Sequence, residues 1–186
     1  HIIVKDGLAG KYKRSYSNKK LPKIDLVISS LSEFKKYAAW QSDTHWDRYD
    51  FTHVQALIDK TGKIQKLIND KGAIPKNKKR GFINGELNAY LNGFYRAVKS
   101  NRNKDPLGAR LEAAASIGHF LNAVFALHDR MTPFEHALSQ ELASHPLKNF
   151  PWKSKKISQT LLKILEDADL KTQQKLAQTI KSVFRK

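Results

Sequence analysis

The stretch Lys23-Ile24-Asp25-Leu26-Val27-Ile28-Ser29-Ser30 decides the fold that we expect for the first part of the chain. Its apolar, largely β-branched run after Asp25 is typical of a strand. Ser30 is followed by Glu33 in the pattern of an N-cap with a supporting carboxylate, which predicts a helix to about Trp40. The order of strand, turn and helix therefore holds one acid, Asp25, on a stiff strand, a position that suits metal binding.

Flanking segments extend this strand into a small α/β layer. His1–Val4 predicts a second strand, and the Gly-, Ser- and Lys-rich connection over residues 6–20 predicts a loop or loose hairpin. His53–Asp59 alternates like a third strand that ends at a turn, and apolar residues at helical spacing from Ile64 predict a short helix. We expect this layer to occupy residues 1–75.

Every periodic segment beyond the basic run Lys76–Arg80 is helical. Two long apolar stripes, a helix start at Pro133 and two shorter stripes predict five helices with short connections, which favours an antiparallel bundle over residues 76–186. The whole chain is thus predicted to be α+β and mostly α. In chain order the stripes are Leu87, Tyr90, Leu91, Phe94 and Val98; Leu107, Leu111, Ala114, Gly118, Leu121, Phe125 and His128; Ile157, Leu161, Ile164 and Leu165; and Leu176, Ile180, Val183 and Phe184.

The composition is that of a basic globular protein. Its 34 Lys and Arg residues exceed its 17 Asp and Glu residues, and the net charge of +17 predicts non-specific attraction of polyanions at low salt. A solvated lysine-rich surface explains the same charge without any partner. Cysteine is absent and no apolar run approaches the ~20 residues of a membrane-spanning helix, so we expect a cytoplasmic protein with no membrane partner.

The predicted strand at Asp25 is followed by two further segments, Trp46–Phe51 and Ala56–Ile64, that matter for comparison with a known family. Together they resemble the distal part of a nucleotidyltransferase domain of the DNA-polymerase-β-like superfamily, in particular the bacterial antibiotic-type and uncharacterised nucleotidyltransferases with a helical C-terminal domain. The resemblance implies that Asp25 is a catalytic carboxylate that binds Mg²⁺. It also implies transfer of a nucleoside monophosphate from a nucleoside triphosphate to a hydroxyl acceptor, with release of pyrophosphate.

Two elements of that family are missing before Asp25. These enzymes carry a Gly-Ser pair that grips the nucleotide phosphates and an Asp-x-Asp strand that supplies the first two metal carboxylates, and nothing in residues 1–24 matches either. We therefore expect the chain to be a fragment that lacks the front half of its catalytic domain, binds nucleotide weakly and turns over none. The acceptor stays open between an antibiotic, a small metabolite, a protein side chain and a tRNA end.

The first two bundle helices offer the polar groups expected to meet a substrate. Lys99 follows Tyr95 by one helical turn, and related enzymes use a lysine of the helical domain to reach a triphosphate. Arg96 and Arg110 are further candidates for nucleotide binding, and Glu112 is a candidate catalytic base for the acceptor hydroxyl. Exposed cations and carboxylates on helices are also ordinary, which is the alternative interpretation of all four charged residues.

A second motif supports a different function. The spacing of Arg130 and His136 fits the Arg-x4-6-His pattern of the HEPN helical ribonucleases, and this resemblance implies a basic RNA-binding module or ribonuclease. Arg48 and His53 fit the same pattern, which shows how readily it arises by chance. His128 lies on an apolar stripe, where a hydrogen-bonded core histidine is expected rather than a ligand.

Overall fold

The computed structural model describes residues 1–16, 19, 25–148 and 150–184, and it is mostly helical with one small two-stranded parallel sheet. The predicted α+β class with mostly helix is therefore confirmed. The chain divides into two compact units, His1–Gly72 (unit 1) and Ala73–Lys186 (unit 2).

Unit 1 is built around the small sheet and a group of aromatic and aliphatic side chains. Its buried core consists of Phe34, Ala38, Phe51 and Ile68. Short 3-10 helices cover Asp6–Leu8 and His45–Phe51. The remaining elements are β1 (Ile2–Val4), α1 (Ala9–Tyr16), β2 (Ile28–Ser30), α2 (Leu31–Lys36) and α3 (Lys63–Gly72).

The two strands run parallel, with Ile2 opposite Ile28 and Val4 opposite Ser30. A tight hairpin joins only antiparallel strands, because a parallel partner needs a longer crossover connection. The connection contains α1, so the predicted loop or loose hairpin is wrong.

The start of α2 is fixed by the predicted capping box. Ser30 Oγ accepts a hydrogen bond from the Glu33 amide at 3.1 Å, and Glu33 Oε2 accepts one from the Ser30 amide at 2.7 Å. Lys13 Nζ donates to Glu33 at 2.8 Å, and this bond, together with the Ser30 amide, lowers the pKa of Glu33 to about 2. The predicted helix start is confirmed, although α2 ends at Lys36, before Trp40.

Two other predictions for unit 1 are wrong. The strand β2 begins at Ile28, so Asp25 lies before the strand in irregular backbone and is exposed. The segment 53–59 forms no strand, and Leu57 and Ile58 are among its exposed residues. Alternation alone does not make a strand, because the backbone needs a neighbouring strand to complete its hydrogen bonds, and in the described residues only β1 and β2 pair.

Unit 2 contains five α-helices among its described residues. They are α4 (Lys76–Arg102), α5 (Pro106–Leu127), α6 (Leu138–Ser144), α7 (Ser154–Asp167) and α8 (Leu170–Phe184). Helix α6 begins later than the predicted start at Pro133, after a 3-10 turn over Glu135–Ala137. None of the described helices is both long and apolar enough to cross a membrane.

Helices α4 and α5 form an antiparallel pair, because Glu86 contacts His119 whereas Arg96 contacts Glu112. Asp105 caps α5 by accepting a hydrogen bond from the Gly108 amide at 2.9 Å. The helices approach closely at Gly93, where an added Cβ would lie 2.8 Å from Ser116 Cβ. Small residues on both helices therefore set their separation.

The buried face of α5 differs from the predicted stripe over the first half of the helix. Leu107 and Leu111 are 68% and 62% exposed, whereas Ala109 and Ala113 are buried. The prediction is wrong because close packing on α4 admits alanine where leucine would be too large. Over the second half Leu121 and Phe125 are buried as predicted, whereas Gly118 is exposed. On α7 and α8 the predicted residues Ile157, Leu161, Ile164, Leu176 and Ile180 are buried, whereas Leu165 is 48% exposed.

Candidate functional site

The facing ends of α4 and α5 carry the cations that were predicted to bind nucleotide. Lys99 lies on α4 and Arg110 on α5, and both side chains are exposed. Within the described part of the chain neither takes part in a salt bridge. Tyr95 is 67% exposed one turn before Lys99. The end of the α4–α5 pair that contains Lys99 and Arg110 therefore presents cationic groups and an aromatic ring to solvent, where a ligand can reach them.

Arg96 and Glu112 face each other across the helix pair. Arg96 Nη1 lies 3.8 Å from Glu112 Oε2, and the two side chains are 58% and 33% exposed. An exposed pair at this distance contributes at most about 1 kcal/mol to stability, so a stronger anionic ligand could displace the carboxylate. The structure thus brings two of the predicted site residues together, and their roles as nucleotide ligand and catalytic base stay predictions.

Asp25 belongs to unit 1 and lies in irregular backbone before β2. Its side chain is exposed, which leaves the carboxylate open to a cation. A single carboxylate is not sufficient for a magnesium site, because Mg²⁺ requires about six oxygen ligands in octahedral geometry, which water and the phosphates of a bound nucleotide can supply. Further ligands are needed before Asp25 could act as predicted.

Arg130, the first residue of the ribonuclease-like pattern, has a structural partner. Its Nη2 binds Oε1 of Glu141, which is only 3% exposed, and its Nη1 donates to the His145 carbonyl at 2.7 Å. The His145 ring also approaches Glu141, with Nδ1 and Oε2 3.3 Å apart. The guanidinium therefore compensates a buried carboxylate. His136 is exposed and stacks on Phe134 with ring centroids 5.7 Å apart.

A polar cluster that sequence reasoning missed joins α4 to α5. His119 Nδ1 lies 2.8 Å from Glu86 Oε2, and Asn122 donates to the same oxygen at 3.2 Å. His119 and Asn122 are three residues apart on one helix face, whereas Glu86 is distant in sequence. Only that local spacing could have indicated the cluster. These contacts join Glu86, the one acidic residue of α4, to helix α5.

Two buried cations stabilise unit 1 through backbone carbonyls. Arg48 is 3% exposed and donates to the Ala38 carbonyl at 2.9 Å and the Asp70 carbonyl at 2.5 Å. Lys71 donates to the carbonyls of Lys35 and Tyr37, and burial, followed by the nearby Arg48 charge, lowers its pKa. These contacts give both cations a structural role.

His128 lies within hydrogen-bonding distance of the backbone, as expected, but it is half-buried rather than in the core. Its Nδ1 lies 2.9 Å from the Val124 carbonyl oxygen and its Nε2 2.6 Å from that of Lys148. The ring therefore lies between two backbone carbonyls and links the end of α5 to the segment before α7.

No family model, curated protein or solved structure matches this chain. Function is therefore inferred from the residues of the chain and their contacts.

Proposed function

We propose that the chain is part of a Mg²⁺-dependent nucleotidyltransferase that transfers a nucleoside monophosphate from a nucleoside triphosphate to a hydroxyl acceptor. The observation that carries the proposal is the exposed carboxylate of Asp25, three residues before the start of β2, with the capped helix α2 directly after that strand. In the proposal the small sheet is the remnant of the catalytic layer, and unit 2 is an antiparallel bundle that binds substrate.

The chemistry requires Mg²⁺ because a metal ion lowers the pKa of the attacking hydroxyl and neutralises charge on the triphosphate. Asp25 would be one of the metal-binding carboxylates. The two others have no counterpart in residues 1–24, so the proposal requires them from a segment outside residues 1–186. Without them we expect the 186 residues to bind nucleotide weakly and to turn over none.

The cations of unit 2 would contact the phosphates of the nucleotide. Lys99 and Arg110 are exposed, and Arg96 is held only by the loose pair with Glu112. Displacement of Glu112 by a phosphate would leave its carboxylate able to accept the proton of the acceptor hydroxyl. Asp25 and these residues belong to different units, so each assignment is tested by itself.

The test is calorimetric titration of the chain with ATP, with and without Mg²⁺. We expect weak binding that Mg²⁺ strengthens. Asp25→Asn should remove the Mg²⁺ dependence, since a neutral amide is a poorer ligand for a hard cation. Lys99→Ala should weaken binding, whereas Lys175→Ala, an equal loss of charge at an exposed position of α8, should not.

Two results would contradict the proposal. One is ATP binding that is indifferent to Mg²⁺ and to Asp25→Asn. The other is an equal loss of affinity in the Lys99 and Lys175 variants, because that result would assign the binding to net charge alone.

A further inference from the structure

One exposed face of α4 carries amides, an aromatic ring and cations but no carboxylate. We call it the amide face. At about 3.6 residues per turn its members lie within an arc of about 80°. All are exposed, and Glu86, the one acidic residue of α4, lies on the opposite side and is engaged by His119. The amide face consists of Asn84, Asn88, Asn92, Tyr95, Lys99 and Arg102.

The residues of the amide face and the glycines beside it have a low average helix propensity, which disfavours helix α4. Asparagine and glycine are poor helix formers, and exposed helix positions are normally filled by Ala, Glu, Lys, Gln or Arg. Gly81 and Gly85 adjoin the face, and no atom lies within 4 Å of a Cβ added at either position. Packing therefore does not explain these residues. Residues that disfavour the secondary structure they occupy, and that packing does not require, are typical of functional surfaces.

We propose that the amide face binds single-stranded RNA. Lys99 and Arg102 supply charge for phosphates, and the asparagine amides can donate to and accept from base edges and the ribose 2′-hydroxyl. The ring of Tyr95, 67% exposed, can stack on a base that is free of a duplex. From Asn84 to Arg102 the face extends about 27 Å at roughly 1.5 Å per residue, which accommodates several nucleotides.

The whole-chain charge of +17 favours an anionic strand over a peptide or a cationic metabolite. Charge alone does not distinguish this face from other basic surfaces, whereas the amides and the aromatic ring do. The inference goes beyond nucleotidyl transfer and does not require it. Loss of RNA binding and loss of Mg²⁺-dependent ATP binding can therefore be observed separately.

The test measures the affinity of the chain for a fluorescein-labelled, mixed-sequence single-stranded RNA by anisotropy at about 150 mM salt, where surface charges are screened beyond about 8 Å. The decisive variant is Asn84→Ala/Asn88→Ala/Asn92→Ala. It keeps the net charge, and because alanine favours the helix, its melting temperature should be equal or higher. The control is Gln159→Ala/Gln174→Ala/Gln178→Ala, which removes three exposed amides from α7 and α8.

We expect the asparagine variant to bind the RNA about tenfold more weakly or worse, and the glutamine variant to bind like the wild type. Tyr95→Ala should also cost about tenfold, whereas Tyr95→Phe should retain affinity because the stacking ring remains. Equal affinities of the asparagine and glutamine variants, or equal affinity of the wild type for single-stranded and duplex RNA, would overturn the proposal.

Discussion

At the scale of single residues, the partners of a side chain decide between a catalytic and a structural role. Arg130 and His136 have the spacing of a ribonuclease pair, but Arg130 binds Glu141, a carboxylate that is 3% exposed. A buried carboxylate has lost its hydration and depends on its ion-pair partner and hydrogen bonds. The contact explains why an arginine is needed at position 130 without reference to RNA.

The first prediction concerns this pair. Arg130→Ala should lower the free energy of unfolding by about 3–5 kcal/mol, because it removes the guanidinium that compensates the buried Glu141 charge. Urea denaturation followed by circular dichroism measures the change. His136→Ala is the matched control: its side chain is exposed, so its effect should stay within about 0.5 kcal/mol.

An Arg130→Ala variant with wild-type stability would contradict the structural assignment. RNA cleavage by the wild type that disappears in His136→Ala would instead favour the ribonuclease-like alternative.

At the scale of elements, short-range contacts fix where helices begin and how closely they pack. The capping box of α2 combines Ser30, Glu33 and the Lys13 bond. The pair of α4 and α5 depends on the absence of a side chain at Gly93. The capping box depends on the charge of Glu33 and is therefore sensitive to pH. The close approach at Gly93 depends on side-chain volume and is therefore sensitive to substitution by a larger residue.

The second prediction is an acid transition at the start of α2. The pKa of Glu33 is lowered from 4.5 to about 2 in the folded chain, mainly by Lys13 and then by the Ser30 amide. A lowered pKa means that the stabilisation is present above pH 4.5 and is lost as the pH falls toward 2. Glu33→Gln should remove the contribution of Glu33 and make the loss of stability toward low pH shallower than in the wild type, as measured by thermal unfolding across that range. Glu166→Gln on the exposed face of α7 should leave the profile unchanged.

The third prediction compares two glycines of α4. Gly93→Ala should destabilise the chain by about 1–3 kcal/mol, because the new Cβ would lie 2.8 Å from Ser116 Cβ. Gly85→Ala should stabilise it by up to about 1 kcal/mol, because the helix gains propensity and the added Cβ meets open space. Denaturation midpoints of the two variants give the comparison. A stabilising Gly93→Ala would show that the helices are not held at this separation.

At the scale of the whole molecule, the dominant property is charge. The net +17 comes from basic residues distributed along the sequence, so attraction of polyanions does not require a shaped pocket. Such binding is driven by the release of counterions and falls steeply with salt.

The fourth prediction follows from this charge. Binding of a sulfated polysaccharide such as heparin should collapse between roughly 50 and 200 mM salt, because it rests on counterion release alone. The asparagine variant of the amide face should bind heparin like the wild type at each salt concentration, since its charge is unchanged. A difference between the two with heparin would mean that the substitutions alter more than hydrogen bonding to RNA.

Part of the fold follows directly from local sequence. The capping box at Ser30 and most of the buried positions of α7 and α8 depend on hydrogen bonds and spacings within a few residues. The basic charge, with its attraction to polyanions, is likewise a property of composition. Such features need no knowledge of distant partners, which explains why the sequence by itself determined them.

Tertiary structure decided the features that join distant segments. The parallel pairing of β1 with β2, the irregular path of residues 53–59 and the alanine face of α5 each depend on what lies opposite. The same holds for the candidate sites. Arg130 could be assigned a partner, and Arg96 and Glu112 to each other, only once the helices were placed. Pairing and packing are free-energy terms between segments, and the local pattern of one segment does not specify its neighbour.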